Sequence, residues 1–408
     1  MLQAMFSSIS SIKAHQVRMG VVGNNIANVN TTAFKAGRVT FQEMMAQTLR
    51  GASRPTEGGL GGTNPMQVGL GTQVGSIDTI LEQGILQSTN RVLDLAIQGN
   101  GYFLVSNGSR IAYTRDGSLD IDANGTLVHK ATGEKLVGWM PDADGNIDVT
   151  QPLNARSAIV IPVGKTIAGQ ATTSVTFKGN LALDGNTWTT SVIVYDALGA
   201  PHELRLEFSR TSSSQWTVSY SGPRGIDPSS STISFDNNGR ITEASSSATI
   251  TISGLPRGAP NMTIQLDFSR LTQLATSSTV EPISQNGYPP GTLEQLTVSS
   301  DGTINGVYSN GLNLPVARLA MAVFNNPGGL ERAGNNLFRE SVNSGVANIG
   351  AAQTGGRGSI NSGYLEMSNA DIGNEFTNLI ITQRGFQANT RIVSTVDEML
   401  QDVLQMKR

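Results

Sequence analysis

Cysteine is absent from the 408 residues, which excludes disulfides, thiolate metal sites and cysteine nucleophiles. Charge is scarce too: Asp, Glu, Lys and Arg together reach 14%, against about 25% in an average soluble domain. The formal net charge of −3 supplies no electrostatic footprint for a nucleic acid or an anionic membrane surface. The three histidines, His15, His129 and His202, have no metal-ligand spacing. Aromatic residues make up 5%, a poor stock of stacking platforms for a sugar-binding cleft. No apolar run approaches the ~18 residues that a membrane helix needs. The opening Met1–Ser11 stretch is amphipathic, its apolar residues broken by Gln3 and Ser7, and so unlike a cleavable signal peptide. The resulting expectations are no cofactor, no metal, no nucleic acid and no membrane insertion.

What is present is small and polar. The 46 glycines stand well above the usual share of about 7%, and Ser, Thr and Asn are plentiful. Small uncharged surfaces can face neighbouring copies without burying unpaired charge. A chain this long exceeds one compact core, so two or three domains are expected.

Heptad spacing marks both ends. Met5, Ile12, Met19 and Ile26 recur every seven residues with Leu2, Phe6 and Ile9 beside them, which predicts a helix over 3–28 with a narrow apolar seam. Ile372, Leu379, Phe386, Val393 and Leu400 repeat the pattern, flanked by Phe376, Val396, Val403 and Leu404. Ser368 followed by Asp371 reads as a capping box, Glu375 suits the start of a helix, and Lys407 and Arg408 suit its end. A helix over 369–405 is predicted. A stripe this narrow wants one partner helix, and no other segment offers a comparable repeat. The first and last helices are therefore expected to pair, each large buried side chain contributing roughly 1.5–3 kcal/mol.

Between the ends the period changes to two. Leu204, Leu206 and Phe208 alternate with Glu203, Arg205 and Glu207; Trp216, Val218 and Tyr220 do the same, as do Met262, Ile264, Leu266 and Phe268. Turns such as Asp116-Gly117, Asn124-Gly125 and Asn238-Gly239 recur, so the middle reads as antiparallel β. The expected fold is mainly β with paired N- and C-terminal α-helices, a nested multi-domain arrangement. Its parts are a coiled-coil-like helical core from 1–50 with 364–408, Gly-rich connectors at 51–75 and 344–363, an inner β domain from 76–146 with 286–343, and an inserted outer β domain at 147–285.

Motifs for chemistry fail one by one. Gly164-Lys165-Thr166 resembles the end of a phosphate-binding loop, but Ile159 stands where the loop needs glycine. Asp120-x-Asp122-x-Asn124-Gly125 copies half a calcium loop, yet Ala131 occupies the position of the bidentate Glu. It reads as a hairpin turn, and Asp142-x-Asp144-Gly145 reads the same way. A glycan-active β enzyme, the reading from another class, rests on no positive feature.

After the first helix the chain runs Asn24-Asn25-Ile26-Ala27-Asn28-Val29-Asn30-Thr31-Thr32-Ala33-Phe34-Lys35. Asn and Thr compete for the helix's backbone groups and end it, and Phe34 anchors the segment beyond. The order resembles NNxANxNTxGFK, the signature of the bacterial flagellar axial proteins, the rod and hook family. Asn24, Asn25, Ala27, Asn28, Asn30, Thr31, Phe34 and Lys35 match it. Ala33 stands where the pattern has glycine, the residue that takes a left-handed backbone at least cost. At the far end Glu366, Ser368, Asn369 and Asp371 resemble the family's G-x-L-E-x-S-N-V-D. Gln383, Arg384 and Phe386 resemble its QR-x-Y/F-Q-x-N. Gln98–Phe103 and Tyr113–Gly117 resemble its body domain. The insertion, with Val192–His202 and Gln285–Asn310, resembles the hook branch; the distal rod, a basal-body axial branch, is the alternative.

This resemblance implies a structural subunit and not an enzyme. It implies a helical homopolymer: a curved, flexible tube with a central export channel, acting as a universal joint that passes motor torque to the filament. The partners implied are a hook cap protein, a distal rod protein, a hook–filament junction protein and the flagellar type III export apparatus. The place implied is extracellular, in the flagellum, reached without a cleaved signal.

Overall fold

The computed structural model describes residues 2–54, 62–142, 145–222 and 225–406. Both heptad stripes form helices: α1 spans Leu2–Ala27 and α2 spans Ile372–Gln405. α2 starts later than its sequence suggests because Asp371, and not Ser368, is the cap. The Asp371 carboxylate accepts from Gly373 N and Asn374 N at 2.8 and 3.2 Å, satisfying amides that the helix itself leaves open. The Ser368 hydroxyl is taken by Ala370 N at 3.2 Å. Lys407 and Arg408 lie outside the described residues.

The chain divides into two compact units. The first comprises Met1–Ile161, Thr297–Asn305 and Pro315–Arg408; the second comprises Pro162–Leu296 and Gly306–Leu314. The helical ends and the inner β region, expected as separate bodies, thus share one unit.

Strands run through much of the stretches expected as extended Gly-rich connectors. Gly37–Glu43 pairs antiparallel with Thr72–Thr79, and Ala46–Arg50 pairs with Met66–Gly69. Together they make one long hairpin laid along α1. Gly71, at φ +121°, allows this approach, since a Cβ there would strike Ser10 Oγ. On the return path, Asn348–Ala351 pairs with Asn313–Val323, Ser359–Ser362 with Leu95–Gln98, and Tyr364–Glu366 with Leu86–Ser88. The outgoing and returning chains are hydrogen-bonded to each other. Residues 55–61 lie outside the described part.

The rest of the first unit is a sheet around Tyr102–Ser106, which pairs with Ile111–Thr114, Lys135–Leu136 and the end of Asn313–Val323. Its core brings Tyr102, Tyr113, Phe324 and Phe338 together, with Tyr113 and Phe324 edge to face at 4.9 Å. The half calcium loop is a hairpin turn. Asp122 Oδ1 accepts from Asn124 N and Thr126 N, Gly125 takes φ +83°, and Leu119–Ile121 pairs with Leu127–His129.

The second unit packs two sheets on one core. One runs Thr187–Tyr195, Pro201–Arg210, Gln215–Ser221, Ser230–Ser234; the other runs Gly225–Asp227, Ser247–Ser253, Met262–Leu274, Ser174–Ala182, Glu281–Gln285. Phe177, Phe208, Trp216 and Phe268 fill the space between them. The alternation read from sequence holds, with Leu204, Leu206 and Phe208 buried and Glu203, Arg205 and Glu207 exposed. All-antiparallel pairing does not hold: Ser174–Ala182 and Met262–Leu274 lie parallel. The four-stranded sheet is built in the connection between these two strands. A crossover of that length permits parallel pairing where a tight turn cannot.

His202 and Asp196 staple a turn in this unit, with Nε2 and Oδ2 2.9 Å apart, while Asp196 Oδ1 accepts from Leu198 N and Ala200 N. Burial alone would raise the Asp196 carboxyl, but the His202 and backbone hydrogen bonds outweigh it and hold the group below its ordinary value. A depressed carboxyl contributes stability above its unfolded pKa of about 4, and that contribution disappears as pH falls through the lower folded value. Acid titration of Trp216 fluorescence should therefore show the second unit losing stability below about pH 4, with Asp196→Asn flattening the change; an unaltered profile in the variant would refute the assignment.

Candidate assembly site

α1 and α2 run antiparallel in one continuous register. Asn389 Nδ2 donates to Ser11 Oγ at 3.0 Å, Arg18 Nη2 to Asn378 Oδ1 at 3.1 Å, and Asn25 Nδ2 to Glu375 Oε1 at 3.0 Å. Leu379, Phe386, Val393 and Leu400 are half-buried along α2, with Thr382 and Val396 fully buried between them. Their spacing is a heptad. Met5, Ile9, Ile12, Met19 and Ile26 are half-buried on α1, where Ser8, Ala14, Val22 and Asn25 are the fully buried positions. Ile372 and Phe376 stay 47% and 49% exposed. Gly385 lets His15 approach, since a Cβ there would lie 2.8 Å from His15 Nε2. Burial, and then the nearby Arg18 charge, push the His15 imidazole down.

Beyond the helices, the motif residues of both ends meet in one buried knot. Asn25, 1% exposed, closes a ring with Gly37, giving Nδ2 to its carbonyl at 2.8 Å and accepting its N–H at 2.9 Å. Asn28 Nδ2 donates to Asn24 O and Oδ1 at 2.9 Å, and Asn28 Oδ1 accepts from Thr31 Oγ1. Phe34 is buried beneath Arg332, whose guanidinium carbon lies 5.5 Å from the ring centroid. Asn369 Oδ1 accepts from Ala36 N, and its amide donates to Ile80 O and Glu82 O. Ala27, Asn30, Gln383 and Arg384 are exposed and take no part in the knot.

Glu366 sits at the centre, its side chain fully buried. Oε1 accepts from Lys35 Nζ at 2.6 Å and from Gly84 N at 2.9 Å, while Oε2 faces Arg115 Nη1 at 3.3 Å. Lys35 Nζ also donates to Glu82 O at 2.7 Å, and Arg115 Nη2 to Gly99 O at 2.6 Å. Desolvation, reinforced by the Arg115 charge and opposed by Glu366, pulls the Lys35 ammonium down. A second buried polar pair lies alongside. Asp116 Oδ2 accepts from Thr32 Oγ1 at 3.1 Å and faces His129 Nε2 at 3.1 Å. Burial would raise Asp116, yet His129 and Ser118 N hold it below its ordinary value.

Sequence reading found Lys35 and Glu366 and missed that Arg115, Asp116 and His129 complete their surroundings. The available signal was a set of isolated charges within apolar or small neighbours in a chain poor in charge. It also left the backbone at Ala33 open. Ala33 keeps the left-handed conformation, φ 55°, at a site 2% exposed. Its N–H reaches Glu366 O at 2.8 Å, and a right-handed turn would lose that bond.

No nucleophile–base pair emerges from this arrangement. The charges are closed on one another, and the exposed faces belong to the two helices. The architecture is that of a multi-domain β subunit whose two chain ends form one helical module. Comparison with known proteins agrees along the whole chain. Residues 7–35 match the flagella basal body rod protein model, 96–182 the flagellar hook protein FlgE/F/G D1 domain, 153–288 the flagellar basal body protein FlaE D2 domain, and 361–406 the flagellar basal body rod FlgEFG protein C-terminal. The flagellar hook protein FlgE of Treponema pallidum is 38% identical, with 100% of each chain covered. The flagellar basal-body rod protein FlgG of Bacillus subtilis is 30% identical, again over 100% of each. The crystal structure of Helicobacter pylori flagellar hook protein FlgE2 shares the fold at TM-score 0.56 and 16% identity, covering 69% of this chain and 100% of that one. The chain belongs to the flagellar hook protein FlgE family.

Glu366→Ala should destabilise the first unit by about 3–5 kcal/mol in denaturant unfolding, because it strands two buried cations; a loss under about 1 kcal/mol would mean that the carboxylate is not their counter-charge. Ala33→Gly should stabilise by roughly 0.5–1 kcal/mol, the left-handed cost relieved minus the entropy that glycine adds to the unfolded chain. A destabilised Ala33→Gly variant would contradict the strain.

Proposed function

We propose that the chain is the structural subunit of a flagellar hook, polymerising into a curved, flexible tube that passes torque from motor to filament around a central export channel. The observation that carries this is the pairing of the chain's ends into one helical module with apolar outer faces. Phe376, Ile380, Ile392 and Met399 of α2, and Leu2 and Phe6 of α1, remain 44–62% exposed. Such faces are unfavourable in a lone chain and are sheltered by neighbours in a tube. The second unit, with polar outer positions such as Thr189, Ser191, Thr217 and Ser219, suits contacts weak enough to slide as the tube bends. Family membership supports further partners: a cap protein at the growing tip, a distal rod protein below and a junction protein above. It also supports passage through the flagellar export apparatus to an extracellular position. The full-length likeness to a rod protein favours a second reading, a distal rod subunit. Deleting the gene separates the two: cells that keep a rod and lack a hook fit the first, and cells arrested at the rod fit the second.

Leu379→Asp or Phe386→Asp should abolish polymerisation, seen by sedimentation and electron microscopy, while the β signal in circular dichroism persists. Fibres formed by either variant would show that the helical seam does not hold the tube.

A further inference from the structure

We infer that His15 is a proton-operated release for the helical module: the neutral ring lets α1, α2 and the strand Gly37–Glu43 close around it, and the protonated ring loosens them. The inference rests on the module and not on the hook reading, so a chain that never polymerised would still show it. His15 is the point at which the three elements meet. Its ring stands edge to face on Phe41, with centroids 5.5 Å apart and planes at 84°. On the α2 side it meets Gly385, where the missing side chain leaves room for Nε2. Nδ1 is buried and has no hydrogen-bond partner among the described residues. A neutral imidazole tolerates this by carrying its one proton on Nε2. The cation carries a proton on each nitrogen and strands the one at Nδ1.

The charges around the ring make protonation worse. Arg18, one turn along α1, acts on His15 with the same sign, and its guanidinium carbon lies 5.8 Å from the centroid of the same Phe41 ring. A hydrogen bond to Asn378 Oδ1 holds it there. Lys13 of α1 and Arg384 and Arg391 of α2 are exposed cations. The acids on the packed elements are engaged elsewhere. Glu375 of α2 accepts from Asn25, about 15 Å of helix away from His15. On the hairpin Asp78 pairs with Arg38 at 3.8 Å, and Glu43 lies against Gly69. His129 and His202 differ, because each faces a buried carboxylate, Asp116 or Asp196. Burial, and then the Arg18 charge, hold the His15 imidazole below its ordinary value of 6.5. Between that lowered value and 6.5 the unfolded chain binds a proton that the closed module refuses. Stability is therefore complete above about pH 6.5 and falls as the pH drops through that window, levelling off once the folded group has titrated.

Hydrogen exchange on the full chain tests this, read by mass spectrometry in Ser11–Met19 and Asn378–Asn389 and corrected for the chemical effect of pH. Between about pH 7.5 and about pH 5.5 the protection of both segments should fall by at least about threefold. His15→Phe keeps an aromatic ring against Phe41 and cannot titrate, so it should flatten the change while His129 and His202 remain. Protection that does not change with pH in the unmodified chain would overturn the inference, as would an undiminished fall in His15→Phe. Arg18→Gln gives an independent measure should phenylalanine fit poorly between the helices. With the like charge removed, the acid-induced fall in protection should shrink; a fall as large as that of the unmodified chain would reject the arrangement.

Discussion

One carboxylate, that of Glu366, holds the first unit together. Lys35 from the segment after α1 and Arg115 from the body sheet both converge on it, and Gly84 N completes the oxygen that Lys35 occupies. Each of these charges alone would be expensive to bury, and the geometry answers that cost with hydrogen bonds on every side. Ala33 N–H reaches the same residue through its carbonyl. Three distant stretches of chain are thereby fixed at one point, and both helices leave from it with their directions set.

The helices were the most legible part of the sequence, because seven-residue spacing survives any context and a two-helix seam needs little else. Asp371 displaced Ser368 as the cap because both are good caps, and only the backbone decides which carbonyl begins the helix. The glycine-rich stretches read as extended chain, but their pairing partners were not legible. Glycine marks close approach as well as freedom, and Gly71 beside Ser10 is the former. The alternation Leu204–Phe208 settled which side of its strand is dry, while the parallel pairing of Ser174–Ala182 with Met262–Leu274 depends on contacts far apart in sequence, which periodicity does not carry. For the knot, sequence offered Lys35 and Glu366 through a resemblance and provided no means of seeing that they touch.

The two units solve the same shortage of charge differently. The second buries Phe177, Phe208, Trp216 and Phe268 between two sheets and leaves a mostly small, hydroxyl-rich exterior. The first buries the Lys35–Glu366–Arg115 cluster and leaves apolar side chains such as Phe6 and Phe376 exposed on its helices.

Lys35 and Glu366 are 331 positions apart, and Arg115 also precedes Glu366, by 251 positions. Any fragment that stops short of the final helical segment and its lead-in therefore possesses both cations and lacks their anion. Closing so wide a loop is slow, and until it closes the first unit has an incentive to stay open. The last segment of the polypeptide thus supplies the counter-charge that the two earlier cations need in the finished fold.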